Sequence, residues 1–261
     1  MRIWAVSNQK GGVGKTTTAV TLAGLLARRG QRVLLVDMDP HGSMTSYMKY
    51  DPEGDGDSVY TLFHSASAPV ASMVRETAFQ NISILTASTA LATLDRQLGT
   101  QDGKGLILAK GLNHLAHDYD YALLDCPPTL GVLMVNALAA CHYLVIPVQS
   151  EFLALKGLER MMRTVSMMNH ARMIPIPYLI VPTMFDRRTR AAGQALENMQ
   201  ERYPSALWDS VIPVDTQFRE ASRAGSPISL LAPRSRGSVA YDELLEKLLL
   251  LEKPGLEAAA G

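Results

Sequence analysis

At 261 residues, with 47% apolar and 19% charged side chains, the chain can bury one substantial core and is too apolar for wholesale disorder. Lysine plus arginine balances aspartate plus glutamate at 25 each, so no global field draws the protein to nucleic acid or anionic membrane, and any such binding must be local. Two cysteines, Cys126 and Cys141, exclude a disulfide framework and lack metal-ligand spacing; with no cationic leader before a long apolar stretch, the chain reads as cytoplasmic.

In chain order, short apolar runs rich in β-branched residues alternate with stretches of helical periodicity. Strands are predicted over Ile3–Val6, Val33–Val36, Ile82–Leu85, Tyr121–Leu124, Tyr143–Val148 and Tyr178–Val181. Helices are predicted between them, over Thr16–Arg29, Gly105–His117, Val132–Ala140, Leu155–Asn169 and Thr189–Tyr203. A last apolar stretch, Tyr241–Glu252, reads as a final helix packed on the sheet. The alternation predicts one α/β domain over 1–253, a mostly parallel twisted sheet with helices on both faces, followed by a flexible tail over 254–261. Asp51–Asp57, with its proline, glycines and acids, reads as an exposed loop after the second strand.

Ligands of such sheets bind beyond the carboxyl ends of the strands. There the first strand runs into Ser7-Asn8-Gln9-Lys10-Gly11-Gly12-Val13-Gly14-Lys15-Thr16-Thr17, and a helix follows directly. Glycines let the backbone curl so that successive N–H groups converge on phosphate oxygens, and the helix N-terminus adds the positive end of its dipole. Lys15 would reach the β- and γ-phosphates of ATP and the Thr16 hydroxyl would ligate Mg²⁺, as in P-loop NTPases. The loop departs from G-x-x-x-x-G-K-[ST]: Gln9 stands where the first glycine belongs, and a second lysine, Lys10, follows it. The first fifty residues carry seven basic and two acidic side chains, while 51–150 carry four and ten, so the excess positive charge lies near this loop.

Two more strand ends supply carboxylates. Val33–Val36 leads into Asp37-Met38-Asp39-Pro40-His41-Gly42, and Ala122–Leu124 into Asp125-Cys126-Pro127-Pro128. An aspartate at that edge can orient magnesium water, which makes Asp39 and Asp125 candidates beside Thr16.

At Lys10-Gly-Gly-Val-Gly-Lys-Thr-Thr17, Asp37-Met-Asp-Pro40 and Asp125-Cys-Pro-Pro128 the chain resembles the ParA/MinD family of deviant Walker-A ATPases. Val145-Ile-Pro-Val-Gln149, Leu155-Lys-Gly-Leu158, Pro182-Thr-Met-Phe-Asp186 and Ile212-Pro213 through Gly225 and Pro227 follow in family order. The resemblance implies an ATP-bound sandwich homodimer in which Lys10 reaches the partner's nucleotide while Lys15 serves its own. It implies that Asp39 positions the attacking water, that Asp125 is linked to magnesium, and that Asp186 and Pro213 lie near the adenine. It also implies a cargo to be positioned or segregated and a ParB-like or cargo-adaptor partner.

Members of the family differ in where they act: ParA-type members on the nucleoid, MinD-type members on membrane through a C-terminal amphipathic helix. Tyr241–Glu252 has an acidic balance where membrane-surface helices favour lysine and arginine, which leaves the MinD-like spatial regulator as the alternative. For nonspecific DNA the candidates are Arg187, Arg188 and Arg190 in one segment and Arg219 and Arg223 in another, with Arg234 and Arg236 near the end. The position at which DNA-binding ParA proteins often carry arginine is Gln217 here. Within the ParA group, His41-Gly-Ser-Met-Thr-Ser46, Gly157-Leu-Glu-Arg-Met161 and Asp186-Arg-Arg-Thr189 are most similar to ParC-type members that place chemotaxis arrays at cell poles, so nucleoid or polar localisation is expected.

Overall fold

A computed structural model describes residues 1–65, 69–98 and 104–252; the tail expected over 254–261 lies outside them. Among the described residues, strands β1 (Arg2–Val6), β2 (Val33–Asp37), β3 (Arg75–Glu76), β4 (Ile82–Leu85), β5 (Tyr121–Asp125), β6 (Tyr143–Gln149) and β7 (Tyr178–Thr183) form one sheet in the order β3-β4-β2-β5-β1-β6-β7. All neighbours run parallel except the β3–β4 pair at one edge. The glycine loop therefore leaves the middle of the sheet, flanked by the ends of β5 and β6.

Successive side chains of a strand point to opposite faces. Ile3 and Ala5 of β1 accordingly join one apolar layer with Leu34 and Val36, while Trp4 and Val6 join a second with Val33 and Leu35. Each layer is closed by helices, which is why the strands read as continuous apolar runs. Helices α1 (Lys15–Arg28), α2 (Ser43–Tyr47) and the late helix Arg236–Leu251 cover the second layer. Over the first lie α3 (Val59–His64), α4 (Val70–Met73), α5 (Leu91–Leu98), α6 (Ile107–Asn113), α7 (Val132–Ala140), α8 (Phe152–His170) and α9 (Arg190–Arg202). Two short helices, α10 (Gln217–Ala224) and α11 (Ile228–Leu231), precede the late helix, α12.

Helix α1 forms because Leu22, Leu25 and Leu26 share a face that is fully buried, each contributing about 1.5–3 kcal/mol. Its Gly24 meets α11 so closely that an added Cβ would come within 2.4 Å of Ser229 Oγ. Helix α12 starts at Arg236, five positions before the expected Tyr241, because Ser235 caps it by accepting from the Ser238 amide. Its far end is pinned beneath the sheet: Glu252 accepts from Trp4 Nε1 at 2.5 Å and from the Tyr121 hydroxyl at 3.2 Å, and the Trp4 and Tyr121 rings meet edge to face. No helix of the described residues is long and apolar enough to cross a membrane.

Three expectations are adjusted. The helix predicted over Gly105–His117 is shorter, a 3₁₀ turn at Lys104–Leu106 leading into α6, which gives way to turns after Asn113. Helix α8 begins three residues before Leu155. The exposed loop Asp51–Asp57 is present, but α2 intervenes between it and β2.

Candidate functional site

The loop between β1 and α1 owes its path to two glycines in the left-handed region, Gly12 at φ 74° and Gly14 at φ 92°, where a side chain would be strained. Gly14 is also the N-cap of α1, with no side chain to satisfy the first-turn amides. Neighbouring elements hold the loop in place. Asn8 Nδ2 donates to Pro147 O of β6 at 2.7 Å, Asn8 Oδ1 accepts the Lys10 amide at 3.1 Å, and Thr183 Oγ1 at the end of β7 donates to Val13 O at 2.9 Å. Gln9 Nε2 donates to Thr164 Oγ1 of α8 at 2.6 Å, so the residue standing in place of the usual glycine anchors the loop on that helix.

The two lysines differ. Lys15 is 8% exposed and its Nζ donates to Lys10 O at 3.3 Å, a contact that folds the ammonium back over the loop. Lys10 sends Nζ outward along its own protomer, to Gln149 Oε1 at 3.3 Å and onto the Glu151 carboxylate before α8. Thr16 and Thr17 are half-buried at the start of α1, and Gly11 and Gly12 are exposed.

Thr16 Oγ1 donates to Asp125 Oδ2 at 2.5 Å, which brings the two candidate magnesium residues together. The other oxygen, Asp125 Oδ1, is buried without a hydrogen-bond partner. Burial pushes the Asp125 carboxyl well above the ordinary carboxylate range; the nearby Asp37 charge adds to the rise, while the Thr16 hydrogen bond and Lys15 oppose it. An orphaned buried carboxylate oxygen is costly unless a cation compensates it. The donor set fits Mg²⁺, which binds through one or two carboxylates plus phosphate oxygens and waters. No group of three or more His, Cys, Asp or Glu that could hold a metal occurs among the described residues.

Asp39 stands apart from the Thr16–Asp125 pair. Its side chain is 13% exposed, and Oδ1 accepts from the His41 amide at 3.0 Å and pairs with His41 Nδ1 at 2.8 Å. Beneath it, Asp37 is fully buried: Oδ1 accepts the Asp39 amide at 3.1 Å, and Oδ2 accepts the Thr45 amide and hydroxyl, both at 2.8 Å. Burial raises the Asp37 carboxyl to about 6 against these donors. Sequence reasoning passed over Asp37 as a site residue and missed Thr45, Gln149 and Glu151. An apolar strand ending in aspartate was an available signal for Asp37; the other three reach the site only through contacts distant in sequence.

Asp186 and Pro213 come together in a cleft of about 700 Å³ shared with Arg187, Arg188, Arg234 and Arg236. Asp186 is held by Arg188, whose hydrogen bonds lower its carboxyl to about 2. Arg190 opens α9, while Arg219 and Arg223 lie on α10, where Arg223 pairs with Glu220. The exposed arginines thus fall on separate elements, and two of the five named first carry intramolecular partners.

A family model described as an AAA domain matches residues 1–175. Soj of Bacillus subtilis, the sporulation initiation inhibitor protein, is 37% identical over 95% of this chain and 98% of its own length. The chromosome partitioning protein ParA of Myxococcus xanthus is 34% identical over 97% of this chain and 89% of its own. Among solved structures, the cobyrinic acid a,c-diamide synthase of Mycobacterium smegmatis, determined with an ATP analogue and magnesium, superposes with a TM-score of 0.83 at 32% identity over 95% of this chain and 94% of that one. With a strand, glycine loop and helix followed by two acidic strand ends, and with relatives matched along nearly its full length, the chain belongs to the ParA/Soj family of chromosome-partitioning ATPases.

Proposed function

We propose that the protein is a ParA-type ATPase that binds ATP with Mg²⁺, dimerises on nucleotide, and positions or segregates an intracellular cargo through cycles of binding and hydrolysis. The observation that carries this reading is the Thr16–Asp125 pair with its orphaned buried oxygen, set at the mouth of the glycine loop. Thr16 and Asp125 would hold Mg²⁺, which when bound offsets the charge of the phosphate oxygens. The amides of Gly11 to Thr17 cradle the phosphates, and Lys15 meets them as a point charge. Asp39 accepts a hydrogen bond from the attacking water and orients it in line with the terminal phosphate. Asp186 and Pro213 border the base.

Lys10 acts across a two-fold interface, for which its ammonium must leave Glu151 and Gln149. Arg187, Arg188, Arg190, Arg219 and Arg223 make nonspecific phosphate contacts with DNA, which a dimer presents in two copies. A ParB-like or cargo-adaptor protein stimulates turnover, and the protein is nucleoid-associated or polar; its cargo is a polar chemotaxis array or else plasmid or chromosome DNA.

Light scattering with and without Mg·ATP tests the core of this reading. Wild type should pass from monomer to dimer, Lys15→Ala should lose nucleotide binding, and Asp39→Ala should bind and accumulate as dimer without turnover. A wild-type protein that saturates with ATP and stays monomeric sinks the assembly cycle.

A further inference from the structure

Asp39 has to offer one lone pair to a water in a fixed direction, yet it sits in a surface loop where an unrestrained carboxylate would rotate. Two neighbours restrain it. From below, the buried Asp37 carboxylate takes the Asp39 amide and fixes its backbone. From outside, His41 donates its own amide to Asp39 Oδ1 and brings Nδ1 to the same oxygen at 2.8 Å. The His41 ring is 80% exposed, so it contributes almost nothing to the core, and among the described residues its ring pairs with Asp39. The turn that aims it is rigid. The Gly42 amide donates to Asp39 O at 2.8 Å, and Gly42 lies at φ 61° with Pro52 so near that an added Cβ would come within 2.4 Å of it.

We propose that His41 is a positioning residue for Asp39: by occupying Oδ1 from two donors it fixes the carboxylate rotamer and leaves Oδ2 directed as the acceptor. The proposal rests on the reading of Asp39 as the water-orienting residue. It requires the Nδ1–H form of the ring toward Asp39, because a bare Nδ1 facing a carboxylate oxygen would be repelled.

Two measurements test it separately from that reading. In the nucleotide-free protein, nitrogen-resolved imidazole spectra should show a protonated Nδ1 on the one ring whose signal vanishes in His41→Asn, and Asp39→Ala should remove that signature. In steady-state hydrolysis, His41→Ala should lower kcat by about 5-fold, on the order of one ordinary solvent-exposed hydrogen bond, with KM for ATP and ATP-dependent dimerisation unchanged. His41→Asn, whose amide N–H lies the same number of bonds from the backbone as Nδ1, should restore most of the loss. A folded His41→Ala protein that turns over like wild type, or an Nδ1 without a proton, overturns the proposal. If Asp39→Ala itself hydrolyses normally, the role given to Asp39 falls, while the spectra still decide whether the contact exists.

Discussion

The carboxyl ends of β2 and β5 lie side by side, with Asp37 opposite Asp125 in the parallel register. Both aspartates follow a run of buried apolar residues, both are fully buried, and both are pushed up by that burial. They part in what the chain does next. After β2 the backbone folds back, so that the amide two residues on and the Thr45 amide and hydroxyl all donate to Asp37. After β5 the residue two positions on is Pro127, which has no N–H, and Pro128 follows it. Asp125 receives one hydroxyl and keeps one oxygen without a partner. One carboxyl is tied by three donors and the other keeps an open oxygen according to the turn behind it, since both follow a buried apolar strand.

The strongest way to break this contrast is to truncate Asp125. Asp125→Ala should cut Mg²⁺-dependent ATP turnover by on the order of 10³-fold while leaving the nucleotide-free protein as stable as wild type, because the buried carboxyl removed had one oxygen without a partner. Thermal unfolding alongside a hydrolysis assay checks both halves; a variant that fails to fold would make Asp125 a brace after all. Asp37→Ala should do the reverse. It strands three donors in the core and should cost about 3 kcal/mol in denaturant unfolding, with any loss of turnover following from disorder of the Asp39 loop.

Acidity separates the pair more gently. Both groups bind protons more tightly folded than unfolded, so the stability they contribute is full below the unfolded carboxylate value and is lost as pH rises through the folded one. The Tm of the nucleotide-free protein should fall by a few degrees as pH rises through about 6, the value raised by burial at Asp37, and the raised Asp125 carboxyl adds to the fall. In Asp125→Asn the fall should be smaller. A Tm that climbs over this range would contradict both assignments.

The smallest effect sharpens the contrast most directly. Pro127→Ala restores the amide missing behind β5, and a donor to Asp125 Oδ1 would compete with the cation. Half-saturating Mg²⁺ in the hydrolysis assay should rise by about 5-fold, equivalent to ~1 kcal/mol. An unchanged requirement would mean that the proline is not what keeps the oxygen open.

Much of the sheet was legible because strands buried on both faces are written as apolar runs, and the glycine loop because its spacing is constrained by backbone curvature. Strand β3 was not legible: Arg75–Glu76 is two polar residues whose pairing depends on β4. Nor were α2 to α4, each six residues or fewer and below the length at which periodicity can be read. Lys15, Thr16 and Asp125 were named from local pattern, and the fold brings Thr16 and Asp125 together. The clasp of Lys10 on Glu151 was not, since the two are 141 positions apart and meet only because β1 and β6 are neighbours. Thr45 eluded the sequence for a similar reason: its hydroxyl also accepts the Ala87 amide, joining α2 to the end of β4.

The pinning of Trp4 by Glu252 gives the molecule a built-in optical reporter. Trp4 and Trp208 are the chain's two tryptophans, and both lie in the apolar layer covered by α1 and α12, while the opposite layer holds none. Ultraviolet emission excited at the indole band therefore reads one side of the sheet alone. With its ring buried and its N–H committed to a carboxylate at the end of α12, Trp4 should emit at short wavelength while that helix end is seated and shift to the red when it lifts away, without any dye attached.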